Sequence, residues 1–358
     1  MASSPLTDTA SRDLAADEVE EAGHAPAFLR RRRLLLLPLV LLCLLALGAS
    51  MLVGSRSIPP GEVLRFLLRP DPADQVSQLV WLSRVPRTAL VLLAGAALGV
   101  AGGLMQAVTR NPMTDPGILG VNSGASLAVV TGLAFFGMTD ISQYMWWSFA
   151  GAMVTSVLVF AIGTTGPARG NPIRMTLAGV ALGAVLSGFT SAVLFTNSSV
   201  LGRMRGWSAG TTASQPLEAT LQIAPFVLIG LLIAALSTRA LDVLSLGDAA
   251  AVAMGAHPQR TRVVVLVAIA LLAGGATAAA GPIGFIGLLA PHLARMLVGP
   301  HQGWVMAYSV LIAPVVLGLA DSLGRILIAG EVPVGVVTAF VGAPVLIFMV
   351  RRFRVSEA

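Results

Sequence analysis

Long runs without a charged residue restrict the fold of this chain more than any other feature. Residues 34–53 contain no Asp, Glu, Lys or Arg. Nine further apolar stretches follow at about 88–108, 117–137, 144–165, 175–195, 219–237, 263–280, 282–299, 304–320 and 333–350. About 20 apolar residues in a helix span the hydrocarbon core of a bilayer, and a helix satisfies its own backbone polar groups there. The pattern predicts an all-α polytopic membrane protein with about ten transmembrane helices.

The composition excludes a soluble domain. Charged residues make up only 11% of the chain, against about 25% in typical soluble domains. The formal net charge is +6, but the basic residues do not gather into a patch for nucleic acid, so we expect membrane lipid and no nucleic acid as a partner. The single cysteine, Cys43, lies in an apolar run and offers no disulfide.

The N-terminal tail, the number of spans and the distribution of arginines predict the domain organisation and the orientation in the membrane. Residues 1–33 are polar and mixed in charge, which is typical of a disordered tail, and residues 34–354 form the transmembrane domain. An even number of spans places both termini on one side. If that side is the cytoplasm, fifteen arginines lie inside and eight outside, as the positive-inside rule requires. We predict a multi-pass protein of the cytoplasmic membrane.

Two short segments are similar in composition and position, which favours an inverted repeat. DPGILGVNSGA follows the second span and GPIGFIGLLAP follows the seventh. Both are rich in Gly and Pro, and the spans before them run in opposite directions in this topology. Broken helices at corresponding places of two inverted halves are typical of transport proteins.

The predicted span centres lack ionisable residues, and this indicates what can drive transport. Secondary transporters usually bury such groups to bind a coupling ion, so an ion-coupled transporter is disfavoured. The chain has no G-x-x-x-x-G-K-[ST] loop for a nucleotide, and its scattered histidines form no metal or catalytic site. We predict no catalytic residue, metal or cofactor, and a conduit that another subunit drives.

A short helix is predicted within residues 245–262, SLGDAAAVAMGAHPQRTR, in the longest internal cytoplasmic loop. Asp248 is a good N-cap, Ala249–Met254 favour helix, and Gly255 with Pro258 ends it. Its small side chains suit a groove on a partner, and an ordinary connecting helix is the alternative.

The stretch TRNPMTDPGILGVNSGA, residues 109–125, interrupts two apolar runs. We predict a cytoplasmic turn between the second and third spans, with Arg110 and Asp115 in water. Pro112 and Pro116 stop one helix and start the next.

Four segments together resemble the FecCD-type permeases of ATP-binding-cassette (ABC) importers. They are RVPRTALVLLAGAALGVAGGLMQAVTRNPMTDPGILGVNSGAS (84–126), MTLAGVALGAVLSG (175–188), GPIGFIGLLAPHLAR (281–295) and EVPVGVVTAFVGAPVLIFMVRR (331–352). The resemblance runs from about residue 50 to the C-terminus and is nearest to the ferric-enterobactin type. It implies the type II ABC importer permease fold and the import of a ferric siderophore of the catecholate type, with haem or cobalamin as the alternative in the same family.

The resemblance also implies partners. Family members pair with a second permease subunit, as a heterodimer or a homodimer, and join two cytoplasmic ABC ATPase subunits. An extracytoplasmic siderophore-binding protein delivers the substrate. ATP hydrolysis is therefore expected in a separate subunit, so that this chain is not an enzyme.

Roles for single residues follow from the same resemblance. The coupling loop matches residues from about 239 to 262, with ATPase contacts at Asp248, Ala249, Ala250, Ala251, Met254 and Gly255. Docking of the binding protein is expected at Arg84, Arg87 and Arg325, with Arg203 and Arg205 as helpers. Arginine and carboxylate form bidentate pairs that steer a charged partner. The alternatives are snorkelling to headgroups and, for Arg325, an i,i+4 pair with Asp321.

The pathway is the last predicted feature. Asn111 and Met113 match positions that narrow its cytoplasmic end in the cobalamin member of the family, although a tight turn would need the same prolines. Gly183, Ser187 and Ser191 recur every four residues on the fifth span, which in the family borders the path at the dimer interface. Close helix packing through small residues is the alternative for this stripe.

Overall fold

A computed structural model describes residues 32–54, 58–164, 172–213, 215–328 and 330–355, and these ranges contain helices and no strand. The helices are α1 (Arg32–Leu52), α2 (Pro60–Leu68), α3 (Gln75–Leu79), α4 (Val85–Thr109), α5 (Val121–Phe135), α6 (Ile141–Thr164), α7 (Pro172–Thr196), α8 (Ser198–Ser208), α9 (Leu217–Ser245), α10 (Asp248–Ala253), α11 (Pro258–Ala280), α12 (Ile286–Val298), α13 (Gln302–Leu327) and α14 (Val334–Val355). A π-helical turn, Val80–Arg84, leads into α4, and a 3-10 turn, Pro116–Leu119, comes before α5.

The apolar helices agree with the predicted spans. Seven are long and apolar enough to cross a membrane, and three more apolar helices are shorter. The short ones are Val121–Phe135, Ile286–Val298 and Val334–Phe348. Each of the ten predicted spans overlaps one of these helices, so the all-α polytopic fold is confirmed. The predicted tail, 1–33, lies outside the described residues except for its last two.

The chain divides into two units at residue 42. The described residues of the first unit, 32–42, are helical, and their leucines Leu34, Leu37 and Leu41 are exposed. In the second unit, which begins at Cys43, the remainder of α1 buries Cys43 and Ala46 in a cluster with Val315 of α13. Lipid is a favourable environment for leucine on the outer face of a membrane helix.

Helices α4 and α11 lie at the centre of the second unit. In the most apolar part of the spans that contain α4 and α11, 83% and 78% of the residues are buried, against 17% for α7. Glycine permits the close packing: a methyl group on Gly95 would lie 2.7 Å from the Cα of Pro314 in α13. A side chain at Gly102 would overlap the backbone of Gly287 in α12. Small residues at such contacts let helix backbones approach, which drives packing in lipid.

The two Gly- and Pro-rich segments end helices in a similar way. After α4 the chain reverses at Arg110, whose φ of 51° is uncommon for a residue other than glycine. Asp115 then caps the 3-10 turn by accepting a hydrogen bond from the Gly117 N–H at 2.8 Å. In the other segment, Gly281 (φ 74°) ends α11 and Phe285 (φ 69°) comes directly before α12.

These two segments meet in the interior, which corrects the prediction that Asp115 lies in water. A methyl group on Gly287 would lie 3.3 Å from Asp115 Oδ2 and 3.2 Å from the carbonyl oxygen of Leu98. Leu98 is eleven residues before the end of α4, or about 16 Å along a helix. The chain therefore folds back beside α4 after Pro112, and Asp115 is partly buried. Arg110 stays exposed as predicted.

Candidate functional site

Charged side chains gather near both ends of α4. The Arg87 cluster consists of Arg84, Arg87, Asp321, Arg325 and Glu331, and the Asp248 cluster consists of Arg110, Asp248 and Arg262. Helix α4 carries Arg87 in its first turn and is followed directly by Arg110. The same helix therefore links the two clusters over about 34 Å, since 23 residues separate these arginines.

Arg87 binds both carboxylates of its cluster. Its Nε donates to both oxygens of Asp321 at 3.1 Å, and its Nη2 donates to Oδ1 at 2.9 Å. Its Nη1 donates to Glu331 Oε2 at 2.7 Å. Glu331 precedes α14 with a φ of 54°, and its side chain is 37% exposed. Arg87 thus has one buried acidic partner and one that reaches the surface.

Arg325 fastens the end of α1 to α13. Its Nη1 donates to the carbonyl oxygens of Ser50 at 2.7 Å and Val53 at 2.8 Å, and its Nη2 donates to Ser50 Oγ at 2.9 Å. Its Nε donates to Asp321 Oδ2 at 3.0 Å. The Thr212 hydroxyl also donates to Asp321, at 2.5 Å. Asp321 therefore accepts from three different residues in the described part of the chain.

The arginines of this cluster are internal. Arg84 and Arg325 are 5% exposed and Arg87 is 8% exposed, and Arg84 donates to the Val53 carbonyl oxygen. The i,i+4 pair of Arg325 with Asp321, the alternative weighed from the sequence, is present. Docking through these arginines stays a prediction, and it requires the cluster to open or a partner carboxylate to enter it.

Two further arginines were predicted to help in docking. Arg203 and Arg205 lie on α8, and both are exposed. Arg203 Nη1 donates to the Met138 carbonyl oxygen at 3.0 Å. Their role also stays a prediction.

The Asp248 cluster joins four helices around one carboxylate. Arg262, in the first two turns of α11, donates through Nη2 to both oxygens of Asp248 at 2.9 and 2.8 Å. Arg110 donates through Nη2 to Asp248 Oδ1 at 2.5 Å. Arg110 also binds the Leu244 carbonyl oxygen at the end of α9, through Nε at 3.1 Å and Nη2 at 2.7 Å.

The charge of Asp248 is stabilised by its neighbours. Burial alone would raise the pKa of this carboxyl, but the hydrogen bonds and positive charges of Arg262 and Arg110 outweigh it and hold the pKa below its ordinary value. Asp248 is therefore ionised throughout the neutral range, and its side chain, 46% exposed, also keeps contact with water.

The predicted short helix is present as α10, with one correction. Asp248 is its first helical residue and Gly247 stands at the N-cap position, because the Asp248 side chain is occupied by arginines rather than by backbone N–H groups. Gly255, with a φ of 79°, follows the helix as expected. Ala251 is fully buried, whereas Ala249, Ala250 and Met254 face outward.

The predicted gate residues lie in a turn closed by its own hydrogen bonds. Asn111 is exposed and its Oδ1 accepts from the Met113 N–H at 2.9 Å, while the Asn111 carbonyl oxygen accepts from the Thr114 hydroxyl at 2.8 Å. The hydroxyls of Thr109 and Thr114 are 2.6 Å apart. Arg110 thus belongs to a compact unit and not to a loose loop.

The predicted stripe on α7 faces partly away from the chain. Ser187 and Ser191 are exposed, and Gly183 is half-buried beside Ser123 of α5. The Ser187 and Ser123 hydroxyl oxygens lie 3.5 Å apart. An outward-facing stripe suits a second subunit or lipid, and its role in the pathway stays a prediction.

Several residues of the clusters were missed from the sequence. The four-residue spacing of Asp321 and Arg325 gave a usable signal for one pair. The sequence patterns give no site role to Glu331 or Arg262, or to Thr212 beside the cluster, because each meets its partner only through the fold. The bond between Arg110 and Asp248 joins two regions that the sequence had marked separately.

Comparison with known proteins gives concordant matches. A family model described as the FecCD transport family matches residues 39–352, a range that contains every residue of both clusters. The chain is 46% identical over 315 residues to the ferric enterobactin transport system permease protein FepD of Escherichia coli (strain K12), covering 88% of this chain and 94% of the relative. It is 35% identical over 316 residues to the Fe(3+)-citrate import system permease protein YfmD of Bacillus subtilis (strain 168), covering 88% and 93%.

A solved structure is also similar. It is described as an inward-facing conformation of a metal-chelate type ABC transporter, with a TM-score of 0.76 and 26% identity. The match covers 89% of this chain and 99% of that chain.

Proposed function

The chain belongs to the FecCD transport family, and we propose that it is the permease subunit of an ABC importer for a ferric siderophore of the catecholate type. The similarity to the ferric enterobactin permease, over most of both chains, carries this proposal. The family model covers nearly all of the apolar helices, which lie in the cytoplasmic membrane. The chain conducts the substrate, and separate subunits hydrolyse ATP.

The assembly we infer contains two permease subunits, two cytoplasmic ABC ATPases and an extracytoplasmic siderophore-binding protein. A heterodimer of permeases is favoured by the resemblance to the enterobactin type, with a homodimer as the alternative. The outward-facing apolar surface of α7, which includes Phe189 at 61% exposure and Phe195 at 91%, supplies area for lipid or for the second permease.

In this proposal the Asp248 cluster faces the cytoplasm and both termini lie on that side. Arg239 and Arg260 near this end are exposed, in keeping with the positive-inside rule. The outward face of α10 then meets an ATPase subunit. Val252 and Met254 of this face are 60% and 55% exposed. Their apolar side chains can bind in a hydrophobic groove of the ATPase subunit.

The Arg87 cluster then faces the binding protein. Its described members carry three guanidinium groups and two carboxylates, so one positive charge is in excess. An acidic side chain of the binding protein is the natural counter-ion for that excess. Arg84, Arg87 and Arg325 are the proposed docking residues, with Arg203 and Arg205, exposed on α8, as helpers.

The path for the chelate runs, in this proposal, along the α7 stripe of Gly183, Ser187 and Ser191. It narrows at Asn111 and Met113, which lie at the same end of the molecule as the Asp248 cluster. Small and mildly polar side chains suit a bulky substrate that must bind weakly in order to leave.

Reconstituted transport tests the function. The full complex in proteoliposomes, supplied with a ferric catecholate siderophore on its binding protein, should accumulate iron only when ATP reaches the ATPase subunits. Dissipating the ion gradients should leave the rate unchanged. Uptake that followed an imposed ion gradient without ATP would overturn the proposal, and uptake of haem or cobalamin alone would reassign the substrate.

A further inference from the structure

Asp248 is bound from two sides, and its two partners belong to different parts of the molecule. Arg262 of α11 is buried, at 5% exposure, and holds the carboxylate through both oxygens. Arg110 reaches the same carboxylate from the end of α4. Because Asp248 is the first residue of α10, the short helix is tied directly to the turn that follows α4.

We propose that the Asp248 cluster is a clamp that transmits displacement of α10 to the turn at residues 110–114, so that Arg110 and Asp248 are positioning residues for transport. The clamp rests on the proposed function, because α10 is the proposed contact with the ATPase. It connects two features, the coupling helix and the gate turn, that the sequence had marked independently.

Helix α10 lies between two glycines at which the backbone can rotate, while buried Ala251 and the bonds of Asp248 keep it packed. It has only six residues, and positive-φ glycines stand on both sides of it, Gly247 at 107° and Gly255 at 79°. Neither glycine has a neighbour that would touch an added Cβ, so both lie in open space. Rotation at glycine costs little, since no Cβ restricts φ.

The turn at 110–114 is stiff enough to receive that motion. Asn111 accepts hydrogen bonds from the Met113 N–H at 2.9 Å and the Thr114 hydroxyl at 2.8 Å, and the Thr114 and Thr109 hydroxyls, 2.6 Å apart, tie the turn to the end of α4. A displacement of Arg110 is therefore expected to shift residues 110–114 as one unit. Discrete, packed elements of this kind carry coupling between sites.

Arg110 is also held by α9, on the other side of Gly247 from Asp248. Its guanidinium binds the Leu244 carbonyl oxygen twice, four residues before Asp248. Arg110 therefore spans the joint between α9 and α10, with Leu244 before Gly247 and Asp248 after it. Loss of the carboxylate would leave Arg110 anchored to α9 and would disconnect it from α10.

Hydrogen–deuterium exchange of the full reconstituted complex tests the clamp. In the wild type, ATP binding with hydrolysis blocked should change exchange both in α10 and in residues 110–114. In Asp248→Asn the response of α10 should persist and the response of the turn should disappear. Asp248→Glu keeps the charge and should restore it. A turn that responds equally in Asp248→Asn overturns the clamp.

A second readout separates positioning from simple stability. Siderophore taken up per ATP hydrolysed should fall about fivefold or more in Asp248→Asn, which is the scale of typical coupling effects. Arg110→Gln should give the same fall, and Arg174→Gln, which removes an arginine of α7 outside the cluster, should give none. If uptake and hydrolysis fall in parallel with folded protein, the cluster is only structural and the clamp is overturned.

The two proposals fail differently. If the wild-type complex takes up no siderophore with ATP, the proposed function is wrong. If uptake is normal and the ratio is unchanged in both Asp248→Asn and Arg110→Gln, only the clamp is wrong. Use of both variants keeps the test decisive even where one of them folds poorly.

Discussion

The two charged clusters use the same chemistry in opposite environments. Asp321 in the Arg87 cluster has a side chain that is 1% exposed, whereas the side chain of Asp248 is 46% exposed. Removal of a buried carboxylate from between two arginines leaves uncompensated positive charge in the interior. A half-exposed pair keeps water as an alternative partner, and its net stabilisation is small.

The difference suggests different tasks for the two ends of α4. The Arg87 cluster holds α4 and α13 to the chain at Ser50 and Val53 through buried contacts that water cannot replace. In the Asp248 cluster, the pair of Arg110 and Asp248 is half-exposed and can exchange with water at little cost, whereas buried Arg262 keeps its bonds to the carboxylate. The Arg87 cluster suits a permanent structural contact, and the Asp248 cluster suits a contact that changes during a transport cycle. The predictions below test this contrast, beginning with the largest effect.

Removal of the Asp321 charge should give the largest loss of stability. Asp321→Asn leaves Arg87 and Arg325 buried without their shared carboxylate, which should lower the free energy of unfolding by about 3–5 kcal/mol. Thermal unfolding of the purified protein in detergent measures this. Asp140→Asn, at an exposed loop position, is the matched control and should be silent. An Asp321→Asn protein as stable as the control would show that the Arg87 cluster does not stabilise the fold.

Arg325→Met should have the next largest effect. The substitution removes the bonds to Ser50 and Val53 and the ion pair with Asp321, and should cost about 2 kcal/mol. The loss is smaller than for Asp321→Asn because Arg87 and Thr212 still satisfy the carboxylate. The double variant with Asp321→Asn should be more stable than the sum of the two losses predicts, since the residues share one network. Strict additivity of the unfolding free energies would contradict that shared network.

Glu331→Gln should change stability by less than about 1 kcal/mol, because this carboxylate is partly exposed. Its expected effect is on docking. With Glu331 neutral, Arg87 loses one internal partner, and binding of the siderophore-binding protein should become tighter and more sensitive to salt. Surface plasmon resonance on the complex in nanodiscs measures the affinity, with Glu218→Gln, at an exposed position in the first turn of α9, as the control. Weaker binding would remove Arg87 from the docking site.

The smallest expected effect is that of pH on the Asp248 cluster. The folded-state pKa of Asp248 is depressed, so its contribution is present above the unfolded value of about 3.9 and is lost only as pH falls through the lower folded value. The difference in unfolding temperature between the wild type and Asp248→Asn should therefore stay constant from pH 5 to pH 8. A difference that shrinks between pH 8 and pH 6 would show that Asp248 titrates there and that the arginines do not hold its charge.

Much of the fold could be predicted because membrane helices are specified locally. The apolar runs gave ten segments, and Gly255 and Pro258 correctly marked the end of α10. The prediction failed at Asp115 and at the N-cap of α10 for a common reason. Each aspartate was judged from its chain neighbours, whereas Asp115 lies against Gly287 of α12 and Asp248 is bound by arginines from α4 and α11.

The sequence by itself determined that this chain is a multi-span helical membrane protein of the FecCD type, because hydrophobic length and family motifs are written along the chain. Only the tertiary structure decided which charges meet. Arg87 finds Asp321 across 234 positions and Arg110 finds Asp248 across 138, and no local pattern encodes contacts of that separation. Burial, which sets whether such a pair fastens the fold or links moving parts, is likewise a property of the packed helices.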